Sequence, residues 1–365
     1  MEEYPAKELV ARALLRVGLN LRSFQEPLRL NTATVLEAHR LGMLTGDVET
    51  AMYAATAACG VRFYSGEPLP LVAKATRDMI QQCEEYRQHA GVLALPLLQC
   101  CLNLMGRAAG DPLVLTGEAM NEEKMLRRAR AEHNTGLLSF LLTMKYIVAI
   151  YLKEHEAAES VNKHLRRIIN KKHPPFLPVT WTFHHFFEGI AAVASARKNQ
   201  PLLSRTHQMR VARRRLQQIA EAGSQCPENM MNKVHLLDAD LQACRGNFDQ
   251  AESKYRQSIV FAEHEGFLPE QALACEQLAD LHLQQNTSNS ARKAESRLQQ
   301  ARAIFTKYGA RLLVDQIDEK LGSLRLKPEI VVPAKGSKRW SKTDFNYGCF
   351  VPKLVDDDFQ FVSCR

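Results

Sequence analysis

The chain is short of the signatures that tie a protein to chemistry. Among its nine cysteines no Cys-x-x-Cys pair occurs, which excludes zinc-ribbon and thioredoxin-type sites. The odd count, with most cysteines inside helical apolar stripes, fits free thiols in a reducing compartment. No Gly-x-x-x-x-Gly-Lys-Ser/Thr loop is present to cradle phosphates, and no Gly-x-Gly-x-x-Gly, His-Arg-Asp or His-Glu-x-x-His motif stands anywhere. Asp344-Phe345-Asn346 has the outline of a kinase magnesium motif, but no kinase lobe surrounds it. Alternating strand patterns are scarce. Glu2 and Glu3 open the chain without an apolar core behind them, so a secretory signal is not expected. The most apolar window, Leu137 to Leu152, contains Lys145 and is too short to span a bilayer. The expectation is a cytoplasmic protein with no cofactor, no metal, no membrane contact and no catalysis of its own.

What is present is apolar periodicity. With 45% apolar and 24% charged residues, the 365-residue chain can bury a large core. From Cys226 onward, Val234, Leu237, Leu241 and Cys244 recur at steps of three and four, which draws one stripe along a helix. Gly246 stops that helix, because glycine accepts the left-handed conformation after a last turn. Phe248, Ala251, Tyr255, Ser258, Ile259 and Ala262 then draw a second stripe. Small residues at these places let two helices approach, and aromatics fill the gap beside them. Gly46-Asp47-Val48 and Glu154-His155-Glu156-Ala157-Ala158 repeat the same turn elsewhere.

Other segments read as helices with their own start and stop signals. Asn121 and Asn134 stand as caps, and Glu122 and Glu123 suit a positive helix end. Gly106 to Gly117, Asn199 to Arg205 and Asn286 to Ser290 read as loops, and a basic helix is expected from Arg210 to Glu221. The expectation is an all-α array of roughly fourteen to sixteen helices. The pattern Gly246-x-Phe248-x-x-Ala251-x-x-x-Tyr255-x-x-Ser258-Ile259 resembles the second half of the tetratricopeptide consensus, which implies a right-handed, tetratricopeptide-like helical-repeat array, an α-solenoid. It is expected over residues 1–324, with a largely disordered tail over 325–365.

Charge is uneven. Residues 121–220 hold 18 Lys and Arg against 7 Asp and Glu, a local net of +11 within a chain of +8, so the remainder is −3. Most of this charge reads as solvated helix faces. The sharper reading is a surface for an acidic peptide, a phosphate or nucleic acid, with Arg210, Arg213, Arg214 and Arg215 as candidate partner-binding residues. His184-His185, set among Trp181, Phe183, Phe186 and Phe187, reads as a buried aromatic helix rather than a metal site. Neighbouring side chains on a helix diverge by about 100°, so the two imidazoles alone do not converge. In Cys226-Pro227-Glu228-Asn229, a nucleophilic cysteine would need a histidine and an orienting group. Glu228 and Asn229 read more simply as a first-turn carboxylate and a cap.

The same Cys226-Pro227-Glu228-Asn229, with Lys233, Leu236-Leu237, Asp238-Ala239, Leu241 and Arg245-Gly246, resembles the helical-repeat region of large signalling proteins. Those proteins carry an AAA-type predicted ATPase upstream and a GAF sensor with a histidine kinase or cyclase downstream, and many begin with a serine/threonine kinase. Tyr4 to Glu8, Pro27-Leu28-Arg29, Ala38 to Gly42, Tyr64 to Leu69, Glu265-Gly266-Phe267 and Tyr308-Gly309-Ala310 extend the likeness to about Leu324. The loop Asn286 to Ser290 and the tail depart from it. The resemblance implies an interaction and regulatory module, with a protein or peptide partner such as the neighbouring ATPase or kinase domain. Its shared motifs are packing motifs, so they carry fold rather than activity. It also implies a piece cut from a longer array, with apolar Leu9, Val10, Leu14 and Leu15 bare at the N-terminal end.

Overall fold

The computed structural model describes residues 7–169, 178–198, 201–285, 289–325, 350–355 and 358–363. The chain forms two units, Met1–Leu326 and Lys327–Arg365.

The first unit is all-α, with fifteen α-helices among the described residues. They are α1 (Lys7–Asn20), α2 (Leu28–Thr45), α3 (Val48–Tyr64), α4 (Leu69–Glu85) and α5 (Ala90–Leu104). After a long connection come α6 (Glu122–Ala131), α7 (Thr135–Tyr151), α8 (His155–Ile168), α9 (Pro178–Arg197) and α10 (Leu202–Gly223). The remainder are α11 (Pro227–Cys244), α12 (Phe248–Glu265), α13 (Leu268–Gln285), α14 (Ser290–Tyr308) and α15 (Arg311–Arg325). Consecutive helices pack as antiparallel pairs. Their ends follow the local chemistry. Asn121 and Asn134 each accept a backbone N–H three residues on, from Lys124 at 3.0 Å and Leu137 at 2.9 Å. Gly246 turns the chain between α11 and α12 at a φ of 81°, a conformation glycine takes without a Cβ penalty.

The helices fall into two kinds. α3, α5, α7, α9, α11 and α13 are buried over most of their circumference, and each touches the next of the set. The helices between them, such as α4, α8 and α14, bury one stripe and show the other face to water. α9 touches α1, α7, α8, α10 and α11, and Phe183 packs edge-on to Tyr64 of α3 at 5.1 Å between ring centres. Gly189 lets α11 come close, since a Cβ there would overlap Leu237.

The structure departs from the sequence pattern at three places. α10 starts at Leu202, so the segment taken as the end of a loop is helical. Pro201 precedes it with extended backbone, and nothing up to Gly223 breaks the turn; the weak apolar period hid it. On α11 the expected stripe holds Leu237 and Leu241 fully buried, but Asn229, Asn232, Lys233, His235 and Asp240 are buried too. Finally, Asn229 does not cap its own helix. Its Oδ1 accepts Leu28 N–H at 2.6 Å, and its Nδ2 donates to the carbonyls of Ser23 at 2.9 Å and Glu26 at 3.0 Å. One amide thus joins α11 to the entry of α2. Arg29 with Glu265 and Lys153 with Glu276 are ion pairs across the same divide in the chain, and Gln316 Nε2 donates to Leu152 O at 3.2 Å.

In the second unit, β1 (Phe350–Val355) and β2 (Asp358–Ser363) pair antiparallel, from Phe350 opposite Ser363 to Val355 opposite Asp358. The basic run Lys335 to Arg339, the prolines Pro174 and Pro175, and Asn286 to Ser288 lie outside the described residues.

Candidate interaction surfaces

The polar residues of the inner helices are held by one another. Glu188 of α9 is buried and gathers partners from three helices. Arg166 of α8 donates to its Oε1 at 2.6 Å, Asn162 donates to the same oxygen at 2.9 Å, and Arg215 of α10 lies 2.7 Å from Oε2. His184 and His185 each come within 3.5 Å of the same carboxylate. The two imidazoles therefore do converge, because residues three and four before Glu188 straddle it on the helix. Burial alone would raise the Glu188 carboxyl; hydrogen bonds from His184 and His185 and nearby positive charge hold it well below the usual carboxylate range. Burial also pushes His185 below its ordinary value. Trp181 stacks on His184 at 5.0 Å between ring centres.

Two more buried charges sit nearby. Lys233 of α11 is wholly enclosed, 3.1 Å from Glu270, with its ammonium 4.4 Å from the Phe183 ring centre and 3.7 Å from that of Phe267. Burial lowers its pKa. Asp240 accepts from Tyr255 at 2.5 Å and from Arg197 at 2.8 Å. The Lys233–Glu270, Asp240–Tyr255 and Glu188–Arg215 partnerships join separate helices and were not visible in the sequence; only the spacing of His184 and His185 from Glu188 could have pointed to a contact. Burial pushes the Cys226 thiol up to about 11, the opposite of what a nucleophile requires. Among the described residues no group of three or more His, Cys, Asp or Glu could hold a metal ion. No helix among them is long and apolar enough to cross a membrane.

Two surfaces stand out among the described residues. The first is a groove of about 870 Å³ between α1, α3 and the first turns of α5 and α7. Leu15, Leu19, Ala57, Val92, Leu93 and Phe140 give it an apolar, half-buried to buried floor. Arg12, Arg16, Glu49, His89, Arg128 and Glu132 stand exposed on its rim. Arg12 is paired with Asp47 at 2.8 Å and Arg128 with Glu132 at 2.7 Å. The first turns of α5 and α7 carry no carboxylate, so their positive ends add to the rim.

The second is the outer face of α10. Arg210, Arg213 and Arg214 are exposed there. Arg215 is not with them. It turns inward to Glu188 and Gln218 and belongs to the buried cluster. The basic middle is in fact partly consumed by internal pairs: Arg127 with Glu123, Lys145 with Glu122, Arg166 with Glu188 and Arg197 with Asp240.

Compared with protein-family models and with curated proteins, the chain matches none.

Proposed function

We propose that this chain is a non-catalytic, tetratricopeptide-like helical-repeat module for protein–protein interaction and regulation, part of a multidomain signal-transduction protein of the ATPase-linked sensor-kinase type. Its partner is a protein or peptide segment, with the neighbouring ATPase or kinase domain as the first candidate, and its setting is the cytoplasm. The observation that carries this reading is the groove. An apolar floor with a paired polar rim suits a bound segment, which gains affinity from buried side chains and register from the rim. The packing residues of the repeat pattern support it as well. Ala251, Tyr255, Ser258 and Ala262 all face the helix contacts, and Gly246 makes the turn.

The test is peptide selection on the folded protein, followed by hydrogen exchange with the selected peptides bound. Protection is expected on α1, α3 and the starts of α5 and α7. Leu93→Arg puts a charge on the apolar floor and should abolish it. Turnover of a small-molecule substrate that is lost with the same variant would overturn the reading. A second reading, a stand-alone adaptor that takes acidic peptide or nucleic acid on the basic middle, is favoured by the exposed arginines of α10.

A further inference from the structure

The extra turns at the start of α10 change what its outer face offers. Leu202 and Leu203 are 77% and 86% exposed, the two most exposed large apolar side chains among the described residues. At 3.6 residues per turn, Leu202, Leu203, Arg210, Arg213 and Arg214 all fall within about 120° of the helix circumference. No Asp or Glu stands on α10 before Glu221. The face is therefore graded along the axis. An apolar pair comes first, the arginines follow about 10 to 16 Å further on, and an exposed carboxylate closes it.

We propose that this face docks an acidic amphipathic helix of a partner protein. Apolar residues of that helix cover Leu202 and Leu203, and its carboxylates meet Arg210, Arg213 and Arg214. Charge complementarity argues for carboxylates, which the planar guanidinium fork binds in two-pronged fashion. The grading argues for a protein rather than a lipid surface. An anionic bilayer presents one uniform field and would be repelled by Glu221, whereas a helix can match apolar, cationic and anionic zones in order. Nucleic acid would leave the leucines uncovered, since the face has no Phe, Tyr or Trp for bases to stack on and offers only the imidazole of His207. The surface is separate from the groove and does not depend on it.

The experiment selects helical peptides of about 18 residues, a length that spans the face, from a display library on the full chain. Leu93→Arg is carried throughout, so that groove binding does not contribute. The enriched peptides are expected to carry apolar residues and Glu or Asp two to three turns apart, in the order set by their direction along α10. Arg213→Glu with Arg214→Glu should weaken them about tenfold or more, and added salt should weaken them too. Leu202→Ser with Leu203→Ser should weaken them without changing the salt dependence. These positions are exposed, so an unchanged melting temperature verifies the fold of each variant. Peptides with Lys in place of Glu should recover binding to the charge-reversed protein, which a misfolded variant could not do. Enriched peptides without acidic residues, or indifferent to the charge reversal, would overturn the proposal. Arginine-dependent binding to phosphatidylserine vesicles or to single-stranded DNA with no peptide enriched would overturn it equally.

Discussion

α10 and α11 follow one another in the chain and treat charge in opposite ways. α11 carries Lys233 and Asp240 inside the unit, each matched to a partner on another helix. α10 carries Arg210, Arg213 and Arg214 to the surface and sends only Arg215 inward. Arg214 and Arg215 are neighbours, yet one stands open to a partner and the other completes a buried cluster. Composition counts both as +1. What separates them is the angle each takes about the helix axis, because a buried charge demands a partner and an exposed one does not.

That contrast can be broken most strongly at the buried pair. Glu270→Ala leaves the Lys233 ammonium buried and uncompensated, and should cost about 3–5 kcal/mol. Lys233→Met combined with Glu270→Leu removes both charges and should come near neutrality. Arg213→Ala on the open face should stay within about 0.5 kcal/mol. Urea unfolding of the four proteins measures all three changes. A costless Glu270→Ala would mean that Lys233 reaches water.

The apolar version of the comparison sets Leu237 against Leu203. Leu237 is fully buried against Gly189, so Leu237→Ala should cost about 2–5 kcal/mol by leaving a cavity. Leu203→Ala should change stability by no more than about 0.5 kcal/mol, and its effect should appear in partner binding instead. Thermal unfolding separates the two outcomes, and an unchanged midpoint for Leu237→Ala would place that side chain outside the core.

The smallest effect is on acidification. His185 is held below its ordinary value of 6.5 and Glu188 below 4.5. In both cases the unfolded chain takes up the proton first as pH falls. Stability should therefore decline below 6.5 through His185, and again below 4.5 through Glu188. Melting temperature followed against pH should show both stages, and Glu188→Gln should make the second shallower without removing it, because Glu276, Glu252 and Asp47 are also held below their ordinary values. A profile of Glu188→Gln that still falls below 4.5 as steeply as the parent would assign that loss to other carboxylates.

The sequence made some of this legible. Gly46, Gly246 and Gly309 stop helices, and Asn121 and Asn134 start them, because these signals act through residues at most a turn away. Leu237 and Ala251 could be placed in the core from spacing alone. Arg213 and Arg214 could be found as exposed charge. Glu188 could not be found as a hub, since Arg166 and Arg215 lie on other helices and a carboxylate's charge does not name its partner. Leu202 and Leu203 were taken for loop residues because no apolar stripe accompanies them. The outer face of α10 is defined by the helix itself, so it became visible only with the structure.

The Asn229 amide also sets an order of events. It closes bonds to backbone groups that precede it in the chain by 201 to 206 residues. A ribosome adding about 5–20 residues per second needs about 10–40 s to cover that distance. For the whole of that time Ser23, Glu26 and Leu28 have only water as a substitute for the amide. The first helices can pair with their immediate neighbours as they emerge, but their brace arrives with the first turn of α11. Until then the entry of α2 lacks the bonds that tie it to α11.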